Sequence, residues 1–189
     1  MTSNTDNFLY LYSTDLTYFP ENISQFIQQC QQYEFIGQAA NNLGQNYYHI
    51  GDKFLNMVTF MGCSPYLKIY PENENDTDYC SAYISDDTSV TFINSNSNTG
   101  PRCPNCRKLV RSESELWKDW HSGNEKKSIL CEHCNTSISF QDLDWRKNAG
   151  LVNFTIRISN IFPKEAIPSE QLLSQLKLFT NVEWKYFYA

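Results

Sequence analysis

Strand and helix patterns alternate at both ends of the sequence, and this order predicts an α+β fold. The N-terminal part reads as strand, helix and strand, followed by further strand segments, and the C-terminal part again reads as strand, helix and strand. A segment with paired cysteines, residues 101–146, lies between them and is predicted to be an insertion. Two β-α-β halves around an antiparallel sheet predict a ferredoxin-like sandwich, with residues 1–100 and 147–189 as its body.

The first strand and helix are predicted within residues 8–33. Phe8–Tyr12 is a short aromatic run that is typical of a strand. Residues 20–22 supply a helix start, Pro-Glu-Asn. Apolar side chains then recur at helical spacing, namely Ile23, Phe26, Ile27, Cys30 and Tyr33. This stripe predicts that Cys30 is buried in the core as a small apolar residue.

The middle of the body is predicted as strands joined by loops. Residues 37–51 are polar and punctuated by glycine, which indicates a loop. Phe54–Met61 is nearly all apolar and predicts a strand covered on both faces, with a turn at Gly62–Pro65. Further strands are predicted at Tyr66–Tyr70, Tyr79–Ile84 and Ser89–Ile93. The Asn/Ser tract of residues 94–101 then indicates a flexible boundary.

The C-terminal half has the clearest patterns in the body. Leu151–Ile161 alternates apolar and polar side chains, as expected of a strand with one buried face. Residues 168–170, Pro-Ser-Glu, start a helix that Thr180-Asn181 ends, and Val182–Tyr188 is predicted as the last strand. The apolar stripe of this helix is Leu172, Leu173, Leu176 and Phe179.

Two Cys-x-x-Cys pairs dominate the inserted segment. Cys103 and Cys106 form the first pair, and Cys131 and Cys134 form the second after a gap of 24 residues. This spacing is typical of a tetrahedral zinc site, because two intervening residues let a tight turn aim both sulfurs at one point. Four cysteines fill the tetrahedron, so the Zn²⁺ is predicted to be structural. Thiol–disulfide chemistry and an iron or iron–sulfur occupant are the alternatives.

These motifs carry two resemblances. Residues 103–134 resemble a zinc ribbon, a module that implies metal binding and no particular activity. Most of the chain also resembles an uncharacterised family of bacterial proteins, which implies one intact fold and no established activity. The matching segments are a Gly-Cys-Ser-Pro turn at Gly62–Pro65, the Cys-Pro-x-Cys of Cys103–Cys106, Leu-Asp-Trp-Arg at Leu143–Arg146, and the aromatic strand Trp184–Tyr188.

The distribution of charge bears on the partner. Residues 100–150 carry nine Lys/Arg against seven Asp/Glu, whereas the rest of the chain carries six against fourteen. An acidic body argues against nucleic acid as a ligand. Binding of nucleic acid through the ribbon's basic edge stays as an alternative, although Glu113 and Glu115 dilute that edge. The edge consists of Arg102, Arg107, Lys108 and Arg111.

The sequence supports a catalytic role less strongly than it supports the metal site. Cys63 follows an apolar run and could act as a nucleophile with His49 as its base, but no spacing rule links the two. The acidic residues 72–78 lack the glycine and the closing glutamate of a calcium loop, so they predict a solvated hairpin tip. Asp142 and Asp144 are expected to form surface ion pairs with Arg146 and Lys147.

The insertion also contains two tryptophans and two histidines that could contribute to binding. Trp117 and Trp120, three residues apart, are predicted to form one cluster, either sealing the ribbon onto the body or presenting an aromatic patch to a protein partner. His121 and His133 are possible replacement ligands, but His133 is expected to point to solvent.

The sequence therefore predicts a cytosolic, zinc-stabilised protein-binding or adaptor module that is not an enzyme. An enzyme using Cys63, or a pocket between body and ribbon, is a further alternative. No apolar run of 18 residues is present, so no membrane span is expected. The polar N-terminus lacks the basic region of a secretory signal, and seven cysteines argue against a disulfide framework.

Overall fold

The computed structural model describes residues 8–61, 67–95, 100–111, 128–161 and 165–189. The chain divides into two compact units. The larger unit comprises Met1–Thr91 and Val152–Ala189, and the smaller unit comprises Phe92–Leu151. The fold is a mixture of helices and strands in which every strand pair with a defined register is antiparallel, in agreement with the predicted α+β class.

Twelve strands and three α-helices occur in the described residues. The strands are β1 (Leu9–Ser13), β2 (Ile36–Ala39), β3 (Tyr47–Ile50), β4 (Val58–Phe60), β5 (Ser81–Ile84), β6 (Thr91–Asn94), β7 (Ile129–Leu130), β8 (Ser137–Ile138), β9 (Ala149–Val152), β10 (Thr155–Ile158), β11 (Ala166–Pro168) and β12 (Trp184–Tyr188). The helices are α1 (Ile23–Gln32), α2 (Phe54–Met57) and α3 (Glu170–Thr180), and a 3₁₀ turn spans Phe140–Asp142.

The larger unit is built on a six-stranded sheet with the order β12-β1-β10-β5-β3-β2. Leu9 and Leu11 of β1 lie opposite Ile158 and Ile156 of β10, and all four side chains are fully buried. These residues alternate with Tyr10 and Arg157, which share the other face of the sheet. The alternation predicted for Leu151–Ile161 is therefore confirmed over β10, but the prediction of one continuous strand is wrong. The strand is interrupted at residues 153–154, and Leu151 and Val152 belong to β9, which pairs with β6 in a separate sheet.

The two long helices begin and end where the sequence indicates. Asn22 caps α1 by accepting a hydrogen bond from the backbone N–H of Gln25, and Ser169 caps α3 in the same way with Leu172. Asn181 ends α3 in the left-handed conformation, with φ of 58°. Cys30 on α1 is fully buried, as its place in the apolar stripe predicts.

The apolar run Phe54–Met61 does not form one strand, so that prediction is wrong. Its first turn is the helix α2, which buries Phe54 and Met57 on one face and leaves Leu55 50% exposed. Only Val58–Phe60 is a strand, and it pairs with β11 outside the main sheet. A short apolar run fits either structure, because residues three apart share a helical face.

The loop predicted for residues 37–51 is also wrong in part, because β2 and β3 form a hairpin there. The left-handed conformations of Gly44 and Asn46, with φ of 116° and 65°, turn the chain between the two strands. After β3, Gly51 packs so closely on Glu34 that a Cβ would lie 2.2 Å from the Glu34 carbonyl oxygen.

The strands predicted on either side of the acidic loop have different outcomes. Ser81–Ile84 and Thr91–Asn94 are strands, close to the predicted ranges. Leu67–Tyr70 is not a strand; the Lys68 carbonyl accepts one backbone hydrogen bond, from Cys80, and no ladder follows. The predicted turn at Gly62–Pro65 and the residue Tyr66 lie outside the described residues.

The smaller unit begins and ends with the paired strands β6 and β9. Its described core is small and partly aromatic, with Phe92, Phe140 and Trp145 in mutual contact at ring-centroid distances of 4.9–5.7 Å. Val110, Ile138 and Leu143 are also buried. Within the described residues of this unit the apolar core is therefore limited, and both cysteine pairs belong to the same unit.

Candidate metal centre

The first cysteine pair lies in a tight turn, here called the first knuckle (residues 103–108). The backbone N–H of Cys103 donates to the Lys108 carbonyl at 2.9 Å, and the N–H of Arg107 donates back to the Cys103 carbonyl at 2.8 Å. Arg107 adopts the left-handed conformation with φ of 61°. This turn carries both sulfurs on one side, as Cys-x-x-Cys spacing requires.

The second knuckle (residues 131–136) repeats this geometry position by position. The N–H of Cys131 donates to the Thr136 carbonyl at 2.9 Å, and the N–H of Asn135 donates to the Cys131 carbonyl at 2.8 Å. Asn135, which corresponds to Arg107, also has positive φ, at 55°. The short hairpin of β7 and β8 carries this knuckle. Two matching turns therefore present four cysteines.

The four sulfurs converge on one point. All of them lie within 4.8 Å of one another. The Sγ atoms of Cys103 and Cys134 are 3.7 Å apart, as are those of Cys106 and Cys131. Four sulfurs at about 2.3 Å from a tetrahedral zinc ion would be separated by about 3.8 Å. The sulfur–sulfur distances thus fit a tetrahedral metal ion and exceed the roughly 2.0 Å of a disulfide bond.

Polar groups surround the sulfurs. The Cys106 backbone N–H lies 3.5 Å from the Cys103 Sγ, and the Asn105 Nδ2 lies 3.7 Å from the Cys134 Sγ. The Thr136 Oγ1 is 3.3 Å from the same Cys134 sulfur. Hydrogen bonds from the Thr136 side chain and backbone lower the pKa of Cys134 to about 6. These contacts favour the thiolate form of Cys134, the form that metal binding requires.

The two knuckles are joined by a side-chain hydrogen bond that was not predicted. Asn105 donates from Nδ2 to the Thr136 Oγ1 at 3.0 Å, across a sequence separation of 31 residues. The only sequence signal was a hydrogen-bonding side chain inside one Cys-x-x-Cys pair and another just beyond the second. That signal is too common on protein surfaces to identify a pair.

The histidines do not compete with the cysteines in the described residues. His133, between Cys131 and Cys134, is exposed, as expected. His49 lies on β3, where its ring stacks on Tyr79 with centroids 5.6 Å apart. Cys63, His121, Trp117 and Trp120 lie outside the described residues, so the nucleophile alternative is untested and the tryptophan cluster stays a prediction.

The acidic candidates have structural partners. In the acidic loop, Asp76 accepts hydrogen bonds from the backbone N–H groups of Glu72 and Asp78, at 2.7 and 3.1 Å, and pairs with Lys68 at 2.8 Å. Its side chain is only 10% exposed, so this carboxylate organises the loop. The expectation of a wholly solvated tip is therefore wrong at Asp76.

The two aspartates after the second knuckle make local contacts. Asp142 accepts from the Ser139 hydroxyl at 2.7 Å, and Asp144 accepts from the Arg146 backbone N–H at 2.9 Å. On the basic edge, the Arg102 Nη1 donates to the Arg107 carbonyl at 2.8 Å, so this guanidinium supports the first knuckle. The exposed Arg107 and Lys108 side chains remain at its surface.

Comparisons with known proteins add no relative. No protein-family model, curated protein or solved structure matches the chain significantly. The zinc ribbon and the bacterial family with the Gly-Cys-Ser-Pro turn therefore stay resemblances, and the metal centre rests on its own geometry. Within the described part of the chain, no helix is both long and apolar enough to cross a membrane.

Proposed function

We propose that the four cysteines hold one structural Zn²⁺ and that the chain works as a protein-binding or adaptor module in the cytosol. The observation that carries the metal assignment is the pair of matching knuckles with four converging sulfurs. Four thiolates suit zinc, and four sulfurs at tetrahedral spacing are a complete set of protein ligands for it. Iron is the remaining alternative for the same ligands.

The Zn²⁺ would act as a cross-link between two distant parts of the sequence. Zinc binding to such sites contributes on the order of 10 kcal/mol at neutral pH, and this free energy becomes folding free energy. The described core of the smaller unit is limited, so a contribution of this size is enough to decide whether the unit folds. With four sulfur ligands, no coordination position is left for water or substrate, which favours a structural role over catalysis.

Neither of the other described thiols supplies a nucleophile, so the nucleophile alternative rests on Cys63. Cys30 and Cys80 are fully buried, and burial raises the pKa of Cys80 to about 12. Burial raises the pKa of Cys30 as well. A thiol in that state is a poor nucleophile at neutral pH. No disulfide joins the six described cysteines, in keeping with the reducing compartment that we propose.

Support for the ferredoxin-like arrangement of the body comes from its strand order. β1 and β10, the strands that precede α1 and α3, lie side by side, and the last strand, β12, flanks β1. A ferredoxin-like sheet places its first, third and last strands in this relation. The proposed zinc ribbon would then be an insertion before β10.

Affinity capture from the native host tests the binding role. The zinc-loaded chain is the bait, and Cys131→Ser is compared with Glu132→Gln, a neighbouring exposed position that supplies no sulfur. We expect the wild type and Glu132→Gln to capture the same protein partner reproducibly. Nuclease treatment of the lysate, with no nucleic acid added back, should not prevent this capture. Absence of any specific partner would contradict the binding role.

A salt titration tests the nucleic-acid alternative. The acidic body predicts only weak binding of DNA or RNA that disappears as salt is raised, because such binding depends on phosphate contacts. Micromolar or tighter binding at physiological salt, lost on changing Arg107 and Lys108 together to Gln, would favour nucleic-acid binding by the basic edge over the proposal.

A further inference from the structure

A cleft of about 530 Å³ opens in the larger unit beside the N-terminal end of α1. Three partly exposed aromatic side chains, Tyr18, Phe19 and Phe179, contribute to its walls, and the buried Phe26 lies behind them. Asp15 and Glu21 are the two charged residues among the described residues that line it. The volume lies within the range of about 300–1,000 Å³ that is usual for ligand sites.

The aromatic wall is held in place by the core beneath it. Tyr18, Phe19 and Phe26 each contact the fully buried ring of Phe154 in edge-to-face geometry, at centroid distances of 6.0, 5.4 and 5.1 Å. The Asn153 side chain also donates to the Tyr18 carbonyl at 2.9 Å. These contacts fix the walls before any ligand arrives, which reduces the entropy lost on binding.

Asp15 is fixed as a carboxylate. Its Oδ1 accepts a hydrogen bond from the Thr17 backbone N–H at 2.8 Å and another from the Thr17 hydroxyl at 2.7 Å. These hydrogen bonds hold the pKa of Asp15 below its ordinary value. Neither Asp15 nor Glu21 has an ion-pair partner within the described part of the chain.

The electrostatic balance of the cleft favours a cation. The N-terminus of α1 contributes roughly half a positive charge, whereas Asp15 and Glu21 together contribute two full negative charges. Aromatic faces attract cations as well, since their quadrupole is negative above the ring. The same chain already holds a cation in this way on its sheet, where the Arg157 guanidinium lies 4.6 Å from the Phe8 ring centroid and 4.8 Å from that of Tyr83.

We infer that this cleft binds an arginine or lysine side chain of the protein partner. The aliphatic stem would pack on the aromatic walls while the charged end reaches the Asp15 and Glu21 carboxylates. The inference rests on the proposed protein-binding role and specifies the chemistry of the partner. The acidic character of the chain outside residues 100–150, six Lys/Arg against fourteen Asp/Glu, would attract a basic peptide over a longer range.

The test uses the full zinc-loaded chain and two short peptides with blocked ends, one with a central arginine and one with citrulline, its uncharged isostere. Chemical shifts of backbone amides are followed by NMR during titration. We expect the arginine peptide to shift residues 15–22 and 179–180 with saturation, and the citrulline peptide to leave them nearly unchanged. Shifts that are equal for both peptides, that lie elsewhere, or that are absent in the millimolar range would overturn the inference.

A matched pair of variants isolates the carboxylate. Asp15→Asn removes the charge and keeps an oxygen acceptor for Thr17. Asp87→Asn is the control, because Asp87 accepts from the Ser89 backbone N–H at 2.8 Å in a similar turn away from the cleft. Asp15→Asn should weaken binding of the arginine peptide about fivefold, as expected for loss of a partly exposed ion pair. Asp87→Asn should leave that affinity unchanged. Equal affinities would overturn the inference.

Capture of the native partner separates this inference from the proposed function. If the wild type captures a specific protein and Asp15→Asn captures it equally well, the binding role holds and the cleft assignment fails. If the arginine peptide binds the cleft but no partner is captured, the cleft assignment holds and the adaptor role fails.

Discussion

The Asn105 side chain bridges the two knuckles by donating from Nδ2 to the Thr136 Oγ1 at 3.0 Å, next to the Cys134 sulfur. Polar groups around metal ligands hold those ligands in orientation, and losing one typically lowers metal affinity about 10–100-fold. We expect Asn105→Ala to lower zinc affinity about tenfold in competition with a chromophoric chelator.

His133 provides the matched control for Asn105→Ala, because it occupies the same position in the second knuckle, two residues after the first cysteine. It is exposed. His133→Ala should therefore keep wild-type zinc affinity. If His133→Ala lowers zinc affinity as much as Asn105→Ala does, the histidine also contributes to metal binding. That result would contradict the role assigned to the Asn105–Thr136 bridge.

A second prediction concerns the left-handed residue in the first knuckle. Arg107 has φ of 61°, a backbone conformation that costs any residue other than glycine roughly 1–2 kcal/mol. Arg107→Gly should therefore retain zinc at least as well as the wild type. Arg107→Val should retain it less well than the wild type, because a β-branched residue is strained further than arginine in this conformation.

Chelator titration followed by circular dichroism measures both Arg107 variants, with Lys108→Gly as the control. Lys108 is adjacent but has no positive φ, so glycine should bring no gain there. Better metal retention in Arg107→Val than in Arg107→Gly would show that the knuckle does not require the left-handed conformation.

Much of the larger unit follows from local sequence signals. The caps Asn22 and Ser169 and the left-handed Asn181 lie at helix ends, where short-range hydrogen bonds decide the structure. Phe54–Met57 was misassigned because its structure depends on tertiary contacts, which bury Phe54 and Met57 and leave Leu55 exposed. No local pattern distinguishes that case from a buried strand.

The metal centre could be predicted to a similar extent. The grouping of the four cysteines follows from spacing alone, since any fold that brings two Cys-x-x-Cys turns together places four sulfurs where they could hold a tetrahedral ion. The Asn105–Thr136 bridge joins residues 31 apart and depends on how the two turns face each other. The cleft was missed for the same reason, because Asp15 and Phe179 are neighbours only in the folded chain.

A third prediction separates the stability of the two parts of the chain. Chelation, or Cys131→Ser, should unfold residues near 101–146, because the described core there is small, and should leave the six-stranded sheet folded. Hydrogen exchange with and without chelator measures each region separately. Loss of protection across β1, β10 and β12 together with the knuckles would mean that the metal also maintains the sheet.

A fourth prediction concerns the reactivity of the described thiols. Burial raises the pKa of Cys80 to about 12, and Cys30 is equally buried, so both should resist alkylation in the folded protein at neutral pH. After chelation, the thiols of Cys103, Cys106, Cys131 and Cys134 should react rapidly. Peptide mass spectrometry after timed alkylation assigns each site. Early modification of Cys30 or Cys80 would show that the larger unit opens readily.

X-ray absorption at the zinc edge, on protein purified without added metal, tests the central claim most directly. The account predicts one zinc per chain, bound by four sulfurs at about 2.3 Å, with no nitrogen or oxygen in the first coordination shell. Cys131→Ser should reduce the sulfur count or abolish the signal. A site with mixed nitrogen or oxygen ligands, or a chain that carries no zinc and has its paired cysteines oxidised to disulfides, would contradict the account.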